Sequence, residues 1–168
     1  MSLSMYDASS TVFRHSLGQL AHVLEKAAAD ASARKIAPAV LVQARLAPDM
    51  LPLSGQVQIA CDTAKLAVSR LSGQKAPAFE DTETDFEQLA ERIRKTLDFI
   101  ASVPAEAFAG SEDIAVTVGS GERARSFTGQ PYLLHFALPN FFFHVTTAYA
   151  ILRHNGVPVG KSDYLGKP

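Results

Sequence analysis

The sequence predicts an all-α protein, a four-helix bundle with a small β-hairpin placed before the last helix. Two patterns carry this reading. Apolar residues recur at steps of three and four over four long segments, the period of one helix face. One short stretch, "EDIAVTVGSGERARSF", alternates instead at period two around a glycine-rich turn. The scale fits as well: 168 residues make one domain, expected over residues 1–168, that buries roughly 70% of its unfolded surface.

The first helix is predicted from about Tyr6 to Arg34. Phe13, Leu17, Leu20, Leu24 and Ala27 form its core stripe. His15 and His22 share the opposite face, where solvated side chains are the expectation. A short helical turn at Pro38 to Arg45 follows, and "LAPDMLP" interrupts it. Pro52 then sits where a helix starts. The second long helix spans Leu53 to Leu71 and ends near Gly73. Leu53, Val57, Ala60, Cys61, Ala64, Val68 and Leu71 make its stripe, so Cys61 reads as a small core residue and not a nucleophile. Gln58, Asp62 and Lys65 form a polar row on the flank, with Ile59 and Leu66 on the far side.

The third helix follows "FEDTETDFE", where Thr84 and Glu87 have capping-box spacing. Phe86, Leu89, Ile93, Leu97 and Ile100 form its stripe, and Pro104 closes it. Glu80, Asp81, Glu83 and Asp85 resemble a metal cluster at first sight. Negative charge at a helix N-terminus accounts for them more simply. In the hairpin, Ile114, Val116 and Val118 alternate with Ala115 and Thr117 before Gly119-Ser120-Gly121. An isolated hairpin is marginal, so its apolar face is expected against the helices or a partner chain. The fourth helix covers about Gly129 to Asn155. Pro139 should kink it, Asn155-Gly156 caps it, and His154 complements the dipole in its last turn. The tail "VPVGKSDYLGKP" is expected to run extended along the surface.

Composition narrows the function classes. The chain is 47% hydrophobic and 20% charged, with 16 Lys plus Arg against 17 Asp plus Glu. Without a basic stripe, nucleic acid is not the expected partner. Near-neutral charge leaves little repulsion between copies. The single cysteine rules out an internal disulfide and fits a reducing compartment. "MSLSMYDASS" has neither a basic nor an apolar leader region, so a cytoplasmic location is expected. "LLHFALPNFFFHVTTAYAIL" has the length of a membrane span. Its two histidines, asparagine and proline instead suit a buried central helix.

That last segment raises the functional question. Asn140 and His144 stand one helical turn apart. At 100° per residue, Leu134, Ala137, Leu138, Phe141, Val145, Ala148, Ile151 and Leu152 share about a third of the circumference. His144 falls inside this arc, Asn140 at its edge and His135 outside it. A buried imidazole needs hydrogen-bond partners, and Asn140, Gln58 and Asp62 are candidates. The plainer role is a satisfied core histidine. The functional one is a polar pocket between helices, where bundles build their sites.

The opening "MSLSMYDAS", the segment "ARLAPDMLPLSGQVQIACDTAK", the run "FEDTETDF" and "LPNFFFHVTTAYAILRHNGVPVGK" resemble a set of short bacterial proteins known only as a domain of unknown function. The resemblance covers essentially the whole chain. That set looks like a branch of the DinB/YfiT-like metalloenzyme superfamily. It implies an up-down-down-up four-helix bundle, commonly dimeric. Several members bind a divalent metal through three histidines, and some are thiol-dependent transferases or isomerases. Their signature is one histidine on the second helix and a His-x-x-x-His pair on the fourth. Counting back from the closing "NG" places His144 on the second of that pair and Asn140 on the first, and the second-helix position falls near Gln58. Gln, Asn, His stand where the superfamily has His, His, His. Amides bind transition metals weakly, so the site reads as degenerate.

Three functions follow. The first is a small-ligand-binding or structural homodimer with a pocket of Gln58, Asp62, Asn140 and His144 and no cofactor. The second is a divalent-metal enzyme (zinc, nickel or iron) with an altered ligand set of His144 and Asp62, acting as a thiol transferase or hydrolase. The third uses His144 as a metal-free general base oriented by Asp62 or Asn140.

Overall fold

A computed structural model of the chain describes residues 3–166. Residues 1–2, which begin the quoted opening, and 167–168, which end the tail, lie outside the described residues. The helices are α1 (Val12–Ala33), α2 (Pro38–Val42), α3 (Leu53–Ser72), α4 (Phe86–Ser102), α5 (Gly129–Tyr132), α6 (Leu138–His154) and α7 (Lys161–Leu165). Strands β1 (Ala115–Val118) and β2 (Arg125–Thr128) form the hairpin. One π-turn, Asp7–Thr11, leads into α1, and another, Leu133–Ala137, joins α5 to α6.

Side-chain pairs fix the helix directions. Gln56, Thr63 and Arg70 of α3 meet His144, Asn140 and Tyr132 in turn, so α3 and the α5–α6 segment are antiparallel. Gln58 meets Glu83 just before α4 and Asp62 meets Arg92 on it, so α3 and α4 are parallel. Phe13 packs edge-on to Phe141 at 4.9 Å, while Leu20 and Val23 lie with Val145 and Tyr149, so α1 and α6 are parallel. The result is an up-down-down-up bundle. Its core holds every predicted stripe residue of α1 and α3, Cys61 included. No helix among the described residues is long and apolar enough to cross a membrane.

Several local expectations shift. The third-helix cap moves one residue on: Asp85 is extended (φ −142°) and its Oδ1 accepts from the Gln88 N–H at 2.8 Å. Gln88 Oε1 in turn accepts from the Thr84 N–H at 2.7 Å. Thr84 and Glu87 therefore do not form the box, because Asp85 occupies the capping conformation. On the last helix, Leu134 is 44% exposed while Leu133 and Ala137 are buried. The π-turn makes a wider loop than an α-turn, so a constant 100° step misplaces residues upstream of it. Pro139 sits in the first turn of α6, where its missing N–H is tolerated.

The hairpin pairs Val116 with Phe127 and Val118 with Arg125. Val116 is buried, and the Phe127 ring lies 5.5 Å from Phe136 and 6.1 Å from Tyr132. Its apolar face is thus covered by this chain's own α5–α6 segment, and it does not require a partner. Gly129 is needed there, since a Cβ would stand 1.8 Å from the Ser111 carbonyl oxygen.

The tail is not extended throughout: residues 157–160 are non-helical, and Lys161–Leu165 form a short helix. Asp163 accepts from the Gly160 N–H at 2.7 Å, closing the first turn of α7. Both its carboxylate oxygens accept from Lys26 Nζ at 2.9 Å, and His22 Nε2 stands 3.4 Å away. His15 Nε2 donates to the Leu165 carbonyl at 2.8 Å. The two exposed histidines of α1 thus anchor the tail, a partner 150 residues away in sequence from His15.

Candidate functional site

Helix α3 carries polar groups on two sides, one against α6 and the other against α4. On the α6 side, His144 is 8% exposed and its Nδ1 lies 2.7 Å from Gln56 Oε1. Gln56 is itself buried, and its Nε2 donates to the Leu51 carbonyl at 3.0 Å. With the amide nitrogen committed to a carbonyl, the amide oxygen is what faces the imidazole. His144 therefore donates from Nδ1 and carries its lone pair on Nε2. Burial pushes the His144 pKa below its ordinary value, which keeps the ring neutral at neutral pH. One turn earlier, Asn140 Nδ2 donates to Thr63 Oγ1 at 2.8 Å.

On the α4 side the centre is Arg92, whose side chain is 1% exposed. Its Nη1 donates to Glu83 Oε1 at 2.8 Å and to the Glu80 carbonyl at 3.1 Å. Its Nη2 reaches Asp62 Oδ1 and Asp81 Oδ1, both at 2.9 Å. Lys65 Nζ binds the same Asp62 oxygen at 2.8 Å and lies 4.1 Å from the Phe79 ring centre. Burial alone would raise the Glu83 pKa, but hydrogen bonds from Arg92 and Gln58 hold it below the usual glutamate range. An open cleft of about 340 Å³ lies over this network, lined by Phe79, Glu80, Glu83, Glu91 and Lys95 among others. The acidic run before α4 thus divides its work: Asp85 caps the helix, while Asp81 and Glu83 neutralise Arg92.

The four residues expected in one pocket are therefore split between two seams. His144 and Asn140 do face α3, but they meet Gln56 and Thr63. Gln58 donates to Glu83 Oε2 at 2.9 Å, and Asp62 belongs to Arg92 and Lys65. The reason is angular. Gln58 lies about 200° round the helix from Gln56, and Asp62 about 100° from Thr63. Gln56, Thr63 and Arg92 escaped the sequence reading. Gln56 and Arg92 had a signal: each follows a core leucine by three residues, so each is a polar group inside an apolar stripe.

The donor set does not fit a metal ion. Two cations already surround Asp62, and His144 faces an amide. Among the described residues no three His, Cys, Asp or Glu side chains stand together in a group able to hold an ion. Cys61 offers no thiolate: burial pushes its pKa up to about 12, although a hydrogen bond with Thr96 and the Arg92 charge oppose this. Among the described residues, the buried side-chain polar atoms without a partner are Ser10 Oγ, Arg92 Nε and Ser111 Oγ. His144 Nε2 is not one of them. It makes no hydrogen bond to the described protein and is not sealed from solvent.

Two comparisons with known proteins agree with this fold. Residues 5–165 match the domain of unknown function DUF1993. A crystal structure of a DinB family member protein from Shewanella denitrificans is 42% identical, with a TM-score of 0.92 over 98% of this chain and 93% of that chain. A comparison with curated proteins finds no match. Matched from its first turn to its last helix, the chain belongs to the DUF1993 family and has the DinB-like fold.

Proposed function

We propose that this protein is a DinB-like bundle that works without a resident metal, as a small-ligand-binding homodimer in the reducing cytoplasm. One observation carries the metal-free reading: the side chain that faces His144 from α3 is the amide of Gln56, at 2.7 Å. Gln58 instead donates to Glu83 on the other side of α3. Asn140 commits its amide nitrogen to Thr63. Amides are poor ligands for zinc, nickel or iron, and one imidazole alone does not hold such an ion. The homodimer is supported by the net charge of −1 and by the exposed Val40, Leu46 and Leu134. The single thiol, buried, suits a reducing compartment.

Metal analysis of freshly purified protein tests the first part. We expect substoichiometric nickel, zinc and iron, and no rise in melting temperature on adding each ion. About one equivalent of any of them, lost on His144→Ala, overturns the reading in favour of a divalent-metal enzyme. Sedimentation at micromolar concentration tests the second part. The mass of two chains is expected, and that of one chain refutes the dimer.

A further inference from the structure

We propose that the α3–α6 seam holds a binding site for a neutral hydrogen-bond donor on an apolar body, with His144 Nε2 as the acceptor. A phenolic hydroxyl is the simplest ligand of this class. The inference rests on the metal-free reading above.

Geometry supplies the acceptor. The chain Leu51 carbonyl, Gln56 amide, His144 Nδ1 assigns every proton along it, so the ring has one tautomer. Nε2 is left with its lone pair, has no partner among the described residues and is not sealed from solvent, while the residue as a whole is buried. A second acceptor stands one turn away. Asn140 commits its nitrogen to Thr63, and its Oδ1 has no partner among the described residues.

The surroundings choose the ligand's body. Phe143 is 56% exposed, and its ring stands edge-to-face with His144 at 5.2 Å and 88°. Leu51, whose carbonyl orients Gln56, is also exposed. An exposed aromatic ring against a fixed acceptor favours an aromatic or aliphatic group carrying one donor.

Charge chooses the donor. The residue behind His144 is an uncharged amide, which cannot stabilise an imidazolium as a carboxylate would. Proton abstraction is therefore not favoured, and the ring serves as an acceptor. Of the charged groups on α3, Asp62 pairs with Arg92 and Lys65 on the other seam, and Arg70 donates to the Tyr132 hydroxyl. Among the described residues His144 pairs with no charged group and its partner is an amide, so a neutral donor fits best.

The test uses the full chain, labelled with nitrogen-15 in histidine, freed of metal by chelation and held at neutral pH. Long-range nitrogen–proton spectra should show a protonated Nδ1 and an unprotonated Nε2 for His144. Phenol at millimolar concentration should shift Nε2. Anisole, with the same ring and no donor, should not. Phe143→Ala, at an exposed site, should weaken phenol binding several-fold with an unchanged tautomer. Gln56→Leu, if it folds, should mix the tautomers and weaken binding too. A protonated Nε2 in the free protein, or equal responses to phenol and anisole, overturns the proposal. Nickel titration of the same sample separates the two readings. One-equivalent binding with loss of the His144 signals defeats the metal-free reading, and with it this site. Failure with phenol alone defeats only the site.

Discussion

Replacing Arg92 with methionine isolates the energetics of the second seam. The guanidinium makes four polar contacts, but they are not equal. Asp81 is 61% exposed, so its ion pair contributes little. Asp62 keeps Lys65 at 2.8 Å after the change. The cost therefore falls on Glu83, whose side chain is 10% exposed, and on the Glu80 carbonyl. Removing one partner of a buried ion pair costs about 3–5 kcal/mol. Glu83 keeps the Gln58 amide at 2.9 Å, so the lower end applies, about 3 kcal/mol. For a domain of this size that is a fall of about 6–12 °C in melting temperature. The pH dependence has a definite sign. In the parent, Glu83 is held below the ordinary 4.5, so its contribution is present above that value and lost as pH falls through the depressed one. In the variant, burial without the guanidinium raises the Glu83 pKa. The loss should then be largest at neutral pH and shrink as Glu83 takes up a proton in acid. Urea unfolding at pH 7 and pH 4 measures both. A loss below about 1 kcal/mol at pH 7, or an equal loss at both, would refute the reasoning. Adding Glu83→Gln should recover part of it, and the double-mutant cycle reports the coupling.

Two further outcomes follow from packing. Cys61 is fully buried with its pKa at about 12, so a thiol reagent at pH 8 should label it only as fast as the chain opens. Labelling at the rate of the denatured chain would contradict this. Gly129→Ala places a methyl against the Ser111 carbonyl oxygen, where an ideal Cβ would stand at 1.8 Å. The backbone must move, so a loss of about 3 kcal/mol is expected in urea unfolding, and parent-like stability would show that the hairpin yields freely.

The sequence made the bundle legible because each long helix buries one stripe, and spacing alone reveals a stripe. Phe13, Leu17 and Leu20 on α1, or Leu53, Val57 and Ala60 on α3, needed no knowledge of their partners. What failed to read were features decided by a partner distant in the chain. His15 and His22 are exposed as expected, but their partners Leu165 and Asp163 went unread because they lie more than 130 residues away. The phase of the last helix failed at Leu134 because a π-turn leaves no periodic trace. The candidate site suffered most from angle. Gln58 and Gln56 are two residues apart, and only packing decides which of them meets the imidazole. The family resemblance pointed near Gln58, whereas Gln56 meets the imidazole, and two residues along a helix turn a side chain about 200°.

Helix α1 is covered by segments distant from it in the sequence. Its buried face is completed by α4 and α6, and its outer face is clasped by α7 through Lys26, His15 and Asp163. The apolar stripe of α1 thus has no lasting cover until α4 and α6 are in place. Removing α7 should therefore leave that stripe covered and free only the outer face, where His15, His22 and Lys26 would lose Leu165 and Asp163.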